Sequence, residues 1–303
     1  MGGEKGTEGA EFAFRFSKAG ERWILREKVR IECKPAESRK REDMEEDKYM
    51  MRAVDIHLSF AGVMALQNVK IHLAPSEILA IIGPNGAGKT CLLNCLNGFY
   101  HPQKGKIFFQ NMDITHLQPY KRAKLGIART FQGVQLFPGL SVIGNLLTGR
   151  HLHMQTGAMK GFFYRPWTHR EEMRERRKVE EIIDFLEMKQ IRHRIVGSLS
   201  YGLRKRVDLG RALAMEPKVL LMDEPMAGMN LEEKEDIARF VIDIREAMDI
   251  PVVIVEHDMQ VVMDIADRIY VLNWGNLIAE GNPEEIKGNP EVIKAYLGEE
   301  RKI

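Results

Sequence analysis

The chain has 303 residues, 44% of them hydrophobic, with 45 Lys and Arg against 43 Asp and Glu for a formal net charge of +2. That is apolar material enough for one large core or two modest ones, and the near-neutral balance does not call for a nucleic-acid partner. The odd cysteine count, Cys33, Cys91 and Cys95, speaks against a disulfide framework and for a reducing compartment; no apolar run approaches the ~18 residues that cross a bilayer, so a soluble protein is expected that reaches a membrane only by docking onto something there.

Residues 1–50 stand apart. No apolar signal core follows the first five residues. Phe12, Phe14 and Phe16 alternate as in a short strand, and ten of the fourteen residues at 35–48 are charged, both signs mixed. Such a stretch buries too little apolar surface to offset its ordering entropy, so a flexible extension is expected, with Met44, Met50 and Met51 each a possible start. Residues 54–60 and 66–73 then read as strands. Ile78–Ile82 is a continuous apolar run, typical of a strand covered on both faces of a parallel sheet. A glycine-rich loop follows, then a helix to about Asn97 and a strand at 106–109. Cys91 and Cys95 share a face of that helix and are read as packing, since no further Cys or His completes a metal set nearby.

From about Gly133 to Leu213 the chain is mostly helical. Ten of the twelve residues at 170–181 are charged, read as a solvated face, and Val179, Ile182, Ile183 and Leu186 follow at helical spacing on an apolar one. Strand and helix signals then alternate. Residues 219–222 form a buried strand. Ile237, Phe240, Val241 and Ile244 mark an amphipathic helix opened by Asn230 and Glu233 at capping-box spacing. Val252–Val255 is a second buried strand, and Arg268–Asn273 pairs with 277–280 as a hairpin. The alternation argues for an α/β fold with a largely parallel sheet, the helical stretch being inserted between two of its parts.

Residues 83–90, GPNGAGKT, fit G-x-x-x-x-G-K-[ST] between a strand and a helix. Gly83, Gly86 and Gly88, with Pro84, Asn85 and Ala87 between them, let the backbone curl so that its N–H groups face anionic oxygens at a helix N-terminus. Lys89 is the candidate for the β- and γ-phosphates, and the Thr90 hydroxyl for Mg²⁺. The buried strand at 219–222 ends in two carboxylates. Asp223 is placed to hold Mg²⁺, directly or through water. Glu224 is the candidate general base, which must be anionic and within about 3 Å of the attacking water.

With further stretches the sequence resembles the ATP-binding cassette (ABC) ATPase family. LSYGLRKRVDLGRAL from Leu199 is similar to its signature motif and the helix that follows; Gln132 in ARTFQGVQLFP matches its Q-loop; His257 in VVIVEHDM matches its switch histidine; MAGMN at 226–230 stands at its D-loop; Phe60 stands where the family stacks an aromatic on adenine. The resemblance implies a P-loop NTPase (RecA-like) core with an antiparallel β subdomain and an inserted helical subdomain at about residues 133–213, together spanning 51–303. It further implies ATP and Mg²⁺ as ligands and a head-to-tail dimer. In that dimer Ser200, Tyr201 and Gly202 of one subunit meet the γ-phosphate held by the other. Gln132 would touch Mg²⁺ or the attacking water, and His257 the γ-phosphate.

LLNCLNGFYHPQKG at 92–105, ARTFQGVQLFPGLSVIGNLL at 128–147, DEPMAGMN at 223–230 and the tail at 267–299 are similar to the ATPases of branched-chain amino acid importers, as is the insert around Phe162 to Thr168. This group implies a second ATPase, sister or identical, two membrane permeases, an external solute-binding protein and a peripheral place on the cytoplasmic face of the membrane. A related urea or amide importer, a lipid or lipopolysaccharide exporter and a nucleic-acid ABC ATPase remain as alternatives. Three positions depart from the family pattern: Leu203 for the signature Gln, Tyr201 for the first signature Gly, and Cys91 for the hydroxyl residue after Thr90. A neutral hydrogen bond lost at such a place weakens binding by about 0.5–1.5 kcal/mol, and hydrolysis is still expected.

Overall fold

Apolar runs punctuated by glycine and asparagine set the strands. The computed structural model describes residues 48–153 and 166–300; the expectations for residues 1–47 and for the insert at 162–165 lie outside them. β1 (Met51–Phe60) turns through Ala61 and Gly62, both at positive φ, into β2 (Val63–Leu73), as tight hairpins require. Next come β3 (Ile78–Ile82), α1 (Lys89–Asn97), β4 (Lys104–Phe109), β5 (Met112–Asp113), α2 (Pro119–Leu125) and β6 (Ile127–Thr130). The helical stretch holds α3 (Val142–Gly149), α4 (Pro166–Phe185) and α5 (Tyr201–Leu213). β7 (Val219–Asp223), α6 (Leu231–Met248), β8 (Val252–Val255), α7 (Met259–Ile265), β9 (Arg268–Asn273), β10 (Asn276–Gly281), α8 (Pro283–Lys287) and α9 (Pro290–Glu300) complete it.

The strands form two sheets. One is antiparallel, in the order β2-β1-β4-β5; the other runs β10-β9-β3-β8-β7-β6, parallel except for the β10 hairpin. Every residue of β3, β7 and β8 is buried, but the side chains still alternate. Ile78, Ala80, Ile82, Leu220, Met222, Val252 and Ile254 join a core shared with α3 to α7, while Leu79, Ile81, Val219, Leu221, Val253 and Val255 join one shared with α1 and the antiparallel sheet. Two apolar faces per strand explain why these runs read as continuous rather than alternating.

Val179, Ile182 and Ile183 of α4, and Leu186 just after it, turn inward against residues of α3 and α5. The charged run before them is not wholly a solvated face, which corrects the reading above. Glu175 is buried and accepts from Arg150 Nε at 2.6 Å, the Arg150 guanidinium being buried with it and bonded also to Ala214 O. A carboxylate enters the interior here because its counter-charge and bonds go with it. Among the described residues no helix is long and apolar enough to cross a membrane.

Candidate functional site

Strands β3, β7 and β8 point their C-terminal ends at one place. Beyond β3 the chain enters the glycine loop, where two glycines are required by their surroundings. Gly83 has φ 148, and a Cβ there would lie 2.0 Å from Leu272 O; at Gly88, φ 100, it would lie 2.6 Å from Ala65 O. Gly88 is also the N-cap of α1 and brings no side-chain cap. The first-turn N–H groups of α1 therefore stay available to an anion. Lys89 is buried and folds back, its Nζ donating to Gly83 O at 2.6 Å and Pro84 O at 3.0 Å. At the far end of α1, buried Arg122 donates to Cys95 O, Leu96 O, Leu117 O and Thr115 O. Burial lowers its pKa to about 10, still far above neutrality, and its charge favours the negative end of the helix.

The carboxylates stand opposite. Asp223, the last residue of β7, is buried; its Oδ1 lies 3.5 Å from Thr90 Oγ1 and its Oδ2 accepts from Arg129 Nη2 at 2.7 Å. Glu224 has φ 46, a left-handed conformation that a glutamate adopts only at a cost, and its N–H donates to Val255 O at 2.8 Å. This bend carries its carboxylate away from β7 to Gln132 Nε2, which donates to it at 2.7 Å, and to within 3.9 Å of His257 Nδ1. Thr90 with Asp223, and Gln132 and His257 with Glu224, thus form two groups of contacts around adjacent residues of the chain.

Ser200, Tyr201 and Gly202 are elsewhere. The helix α5 begins at Tyr201, so Gly202 is inside its first turn. Ser200 is the N-cap, its hydroxyl accepting from Leu203 N–H at 3.4 Å. A Cβ on Gly202 would come within 2.1 Å of a Glu233 carboxylate oxygen, and Glu233 is held in the capping box of α6 with Asn230. The glycine therefore serves helix packing as well as any ligand. Leu203, which stands where the family pattern has a glutamine, packs on the core. Phe60 is exposed at the end of β1, edge-on to Tyr100 with ring centroids 5.0 Å apart. Cys91 is half-buried, and burial raises its thiol pKa; Cys95, fully buried, is pushed up to about 12.

Three residues of the site escape a reading of the sequence. Arg129 on β6 bridges Asp223 to Asn94 on α1, its Nη1 donating to Asn94 Oδ1 at 2.6 Å. Lys205, buried on α5, donates to Gln132 O at 2.6 Å and Glu224 O at 3.2 Å, and burial lowers its pKa. Glu256 accepts from Met226 N–H at 2.9 Å and His257 N–H at 3.2 Å and stands 3.8 Å from the His257 ring; burial raises its pKa. Arginine in a strand of only four residues offers no periodic signal. A carboxylate straight after the buried run 252–255 was a visible one.

The model for the family described as "ABC transporter" matches residues 66–227. The chain belongs to the ABC transporter family. A second model, "Branched-chain amino acid ATP-binding cassette transporter", matches the end of the cassette at 276–302. The cassette is 38% identical over 242 residues to the high-affinity branched-chain amino acid transport ATP-binding protein LivG of Escherichia coli K12, covering 80% of this chain and 95% of that one. It is similar to a solved ABC transporter cassette in its ADP conformation (34% identity, TM-score 0.72, 82% of this chain and 99% of that one). A dimeric cassette in a post-hydrolysis state with ADP and Pi is more distant (26% identity, TM-score 0.65, 77% and 99%). The P-loop NTPase fold is common to them.

Proposed function

We propose that this cassette is the ATP-hydrolysing subunit of an importer for branched-chain amino acids, seated on the cytoplasmic face of the membrane against a permease. The observation that carries the enzymatic part is the meeting of Asp223, Thr90, Glu224, Gln132 and His257 at the ends of β7, β3 and β8. The cargo rests on the match of residues 276–302 and on the likeness to LivG.

In this reading the amides of 83–90 hold the triphosphate and Lys89 leaves its carbonyls for the β- and γ-phosphates, while Cys91 lines the loop and Phe60 supports the base. The donor set fits a hard divalent cation: Thr90 Oγ1 and Asp223 Oδ1 are neighbouring oxygens. Gln132 adds its carbonyl oxygen, its amide N–H being given to Glu224. Thr90, Asp223 and Gln132 would hold Mg²⁺, whose chemistry when bound would be to offset the negative charge of the transferred phosphoryl group. Glu224 orients the attacking water as general base, and His257, beside it, hydrogen-bonds the terminal phosphate. Ser200, Tyr201 and Gly202 serve the site of a second cassette, identical or sister, in a head-to-tail dimer.

Phe137, Leu140 and Ile195 are exposed, and backbone bonds from Val196 to Leu140 and from Gly197 to Pro138 join their segments. An apolar patch one loop away from Gln132 supports permease docking there. Reconstituting the chain with its permeases and binding protein in proteoliposomes tests the whole. ATP-driven uptake of leucine, isoleucine and valine is expected, and uptake of urea or a short amide in their place would overturn the cargo assignment.

A further inference from the structure

Arg129 has no part in the roles above, yet it bonds the carboxylate assigned to the metal. Its Nη2 donates to Asp223 Oδ2 at 2.7 Å, and the two side chains are 5% and 4% exposed. The guanidinium is fixed from two further sides: Nη1 donates to Asn94 Oδ1 at 2.6 Å, and the group lies 4.9 Å from the Phe131 ring centroid. It bonds one oxygen only, leaving Oδ1 toward Thr90 at 3.5 Å. A buried carboxylate without a counter-charge is costly, so something must face Asp223 whenever the metal does not.

We propose that Arg129 is a placeholder cation, which neutralises Asp223 in the nucleotide-free cassette and keeps bare divalent ions out until they arrive with nucleotide. This rests on the reading of Asp223 as a metal-binding carboxylate. With the guanidinium in place the Arg129–Asp223 pair carries no net charge, and a strongly hydrated ion gains little by shedding water there. A triphosphate supplies the missing negative charge and further oxygens, and only then does Oδ1 become a useful ligand. The fork of Arg129, one arm on α1 and one on β7, also ties the phosphate-loop helix to Asp223 while the site waits. Arg129 is thus a positioning residue.

Mn²⁺ binding to the full chain, read by electron paramagnetic resonance, tests this. Without nucleotide the parent chain is expected to bind Mn²⁺ weakly, and ATP to tighten it. Arg129→Met should bind Mn²⁺ without nucleotide about tenfold more tightly or better, and adding Asp223→Asn should remove the gain. Arg129→Lys, which keeps the charge, should stay close to the parent. An Arg129→Met chain with parental Mn²⁺ affinity would overturn the proposal. So would a parent chain that binds Mn²⁺ through Asp223 equally well with and without ATP, an outcome that needs no Arg129 variant to fold. If Asp223→Asn alone leaves Mn²⁺·ATP affinity unchanged, the metal assignment itself fails, which is a separate result.

Discussion

Glu224 is held by Gln132 at 2.7 Å while its own backbone sits at φ 46, so its carboxylate is aimed by a bend rather than by a flexible side chain. A Glu224→Gln chain keeps the shape and loses the base. It should bind ATP as before and lose turnover by about 10²-fold or more, within the range ascribed to general bases. Turnover at the parent rate, with nucleotide affinity checked by fluorescent-ATP titration, would remove Glu224 from that role. Lys89 makes a different kind of contribution. Its present bonds to Gly83 O and Pro84 O are neutral acceptors, and exchanging them for phosphate oxygens is a gain that favours binding. A charged hydrogen bond contributes about 1.5–3 kcal/mol, so Lys89→Ala should weaken ATP binding about tenfold or more; unchanged affinity would overturn its assignment.

In the packing of elements, the buried side chain of Lys205 helps to join α5 to the catalytic loops. Lys205 reaches from the second turn of α5 to Gln132 O and Glu224 O. These carbonyls belong to the two loops that carry the amide and the base, so moving α5 moves both. Lys205→Met keeps the stem and removes the donors. Turnover should fall while ATP affinity stays within about threefold, because the phosphate loop stands on β3 and α1 instead. A lowered melting temperature with unchanged turnover would reduce Lys205 to packing. The sequence showed the runs at Ile78–Ile82 and Val252–Val255 plainly because both faces of those strands are covered. It did not show β6, whose four residues include Arg129 and follow Gly126 with no apolar run. It also missed Lys205 and Glu256, since a charged residue turns inward only where a partner from another segment meets it, and such meetings leave no mark on local periodicity.

Across the whole molecule the two halves of the site differ. Lys89, Thr90, Asp223, Glu224, Gln132 and His257 converge, whereas Ser200 and Tyr201 have their partners in Leu203, Gly228, Arg204 and Lys205, none of them on the phosphate loop. If the exposed hydroxyl of Ser200 acts on nucleotide, it acts on one bound to another cassette. Variants at the two places should then fail differently. In a Glu224→Gln background, where ATP is held but not consumed, light scattering should show pairing with a second cassette on adding ATP. Adding Ser200→Arg should abolish that pairing while ATP binding to the single chain stays intact, and adding Lys89→Ala should weaken both. A chain that pairs only when its sister is present would fix the partner as a different subunit. If Ser200→Arg instead weakens ATP binding to the lone chain as much as Lys89→Ala does, both residues serve one nucleotide in one chain, and the head-to-tail clamp is wrong.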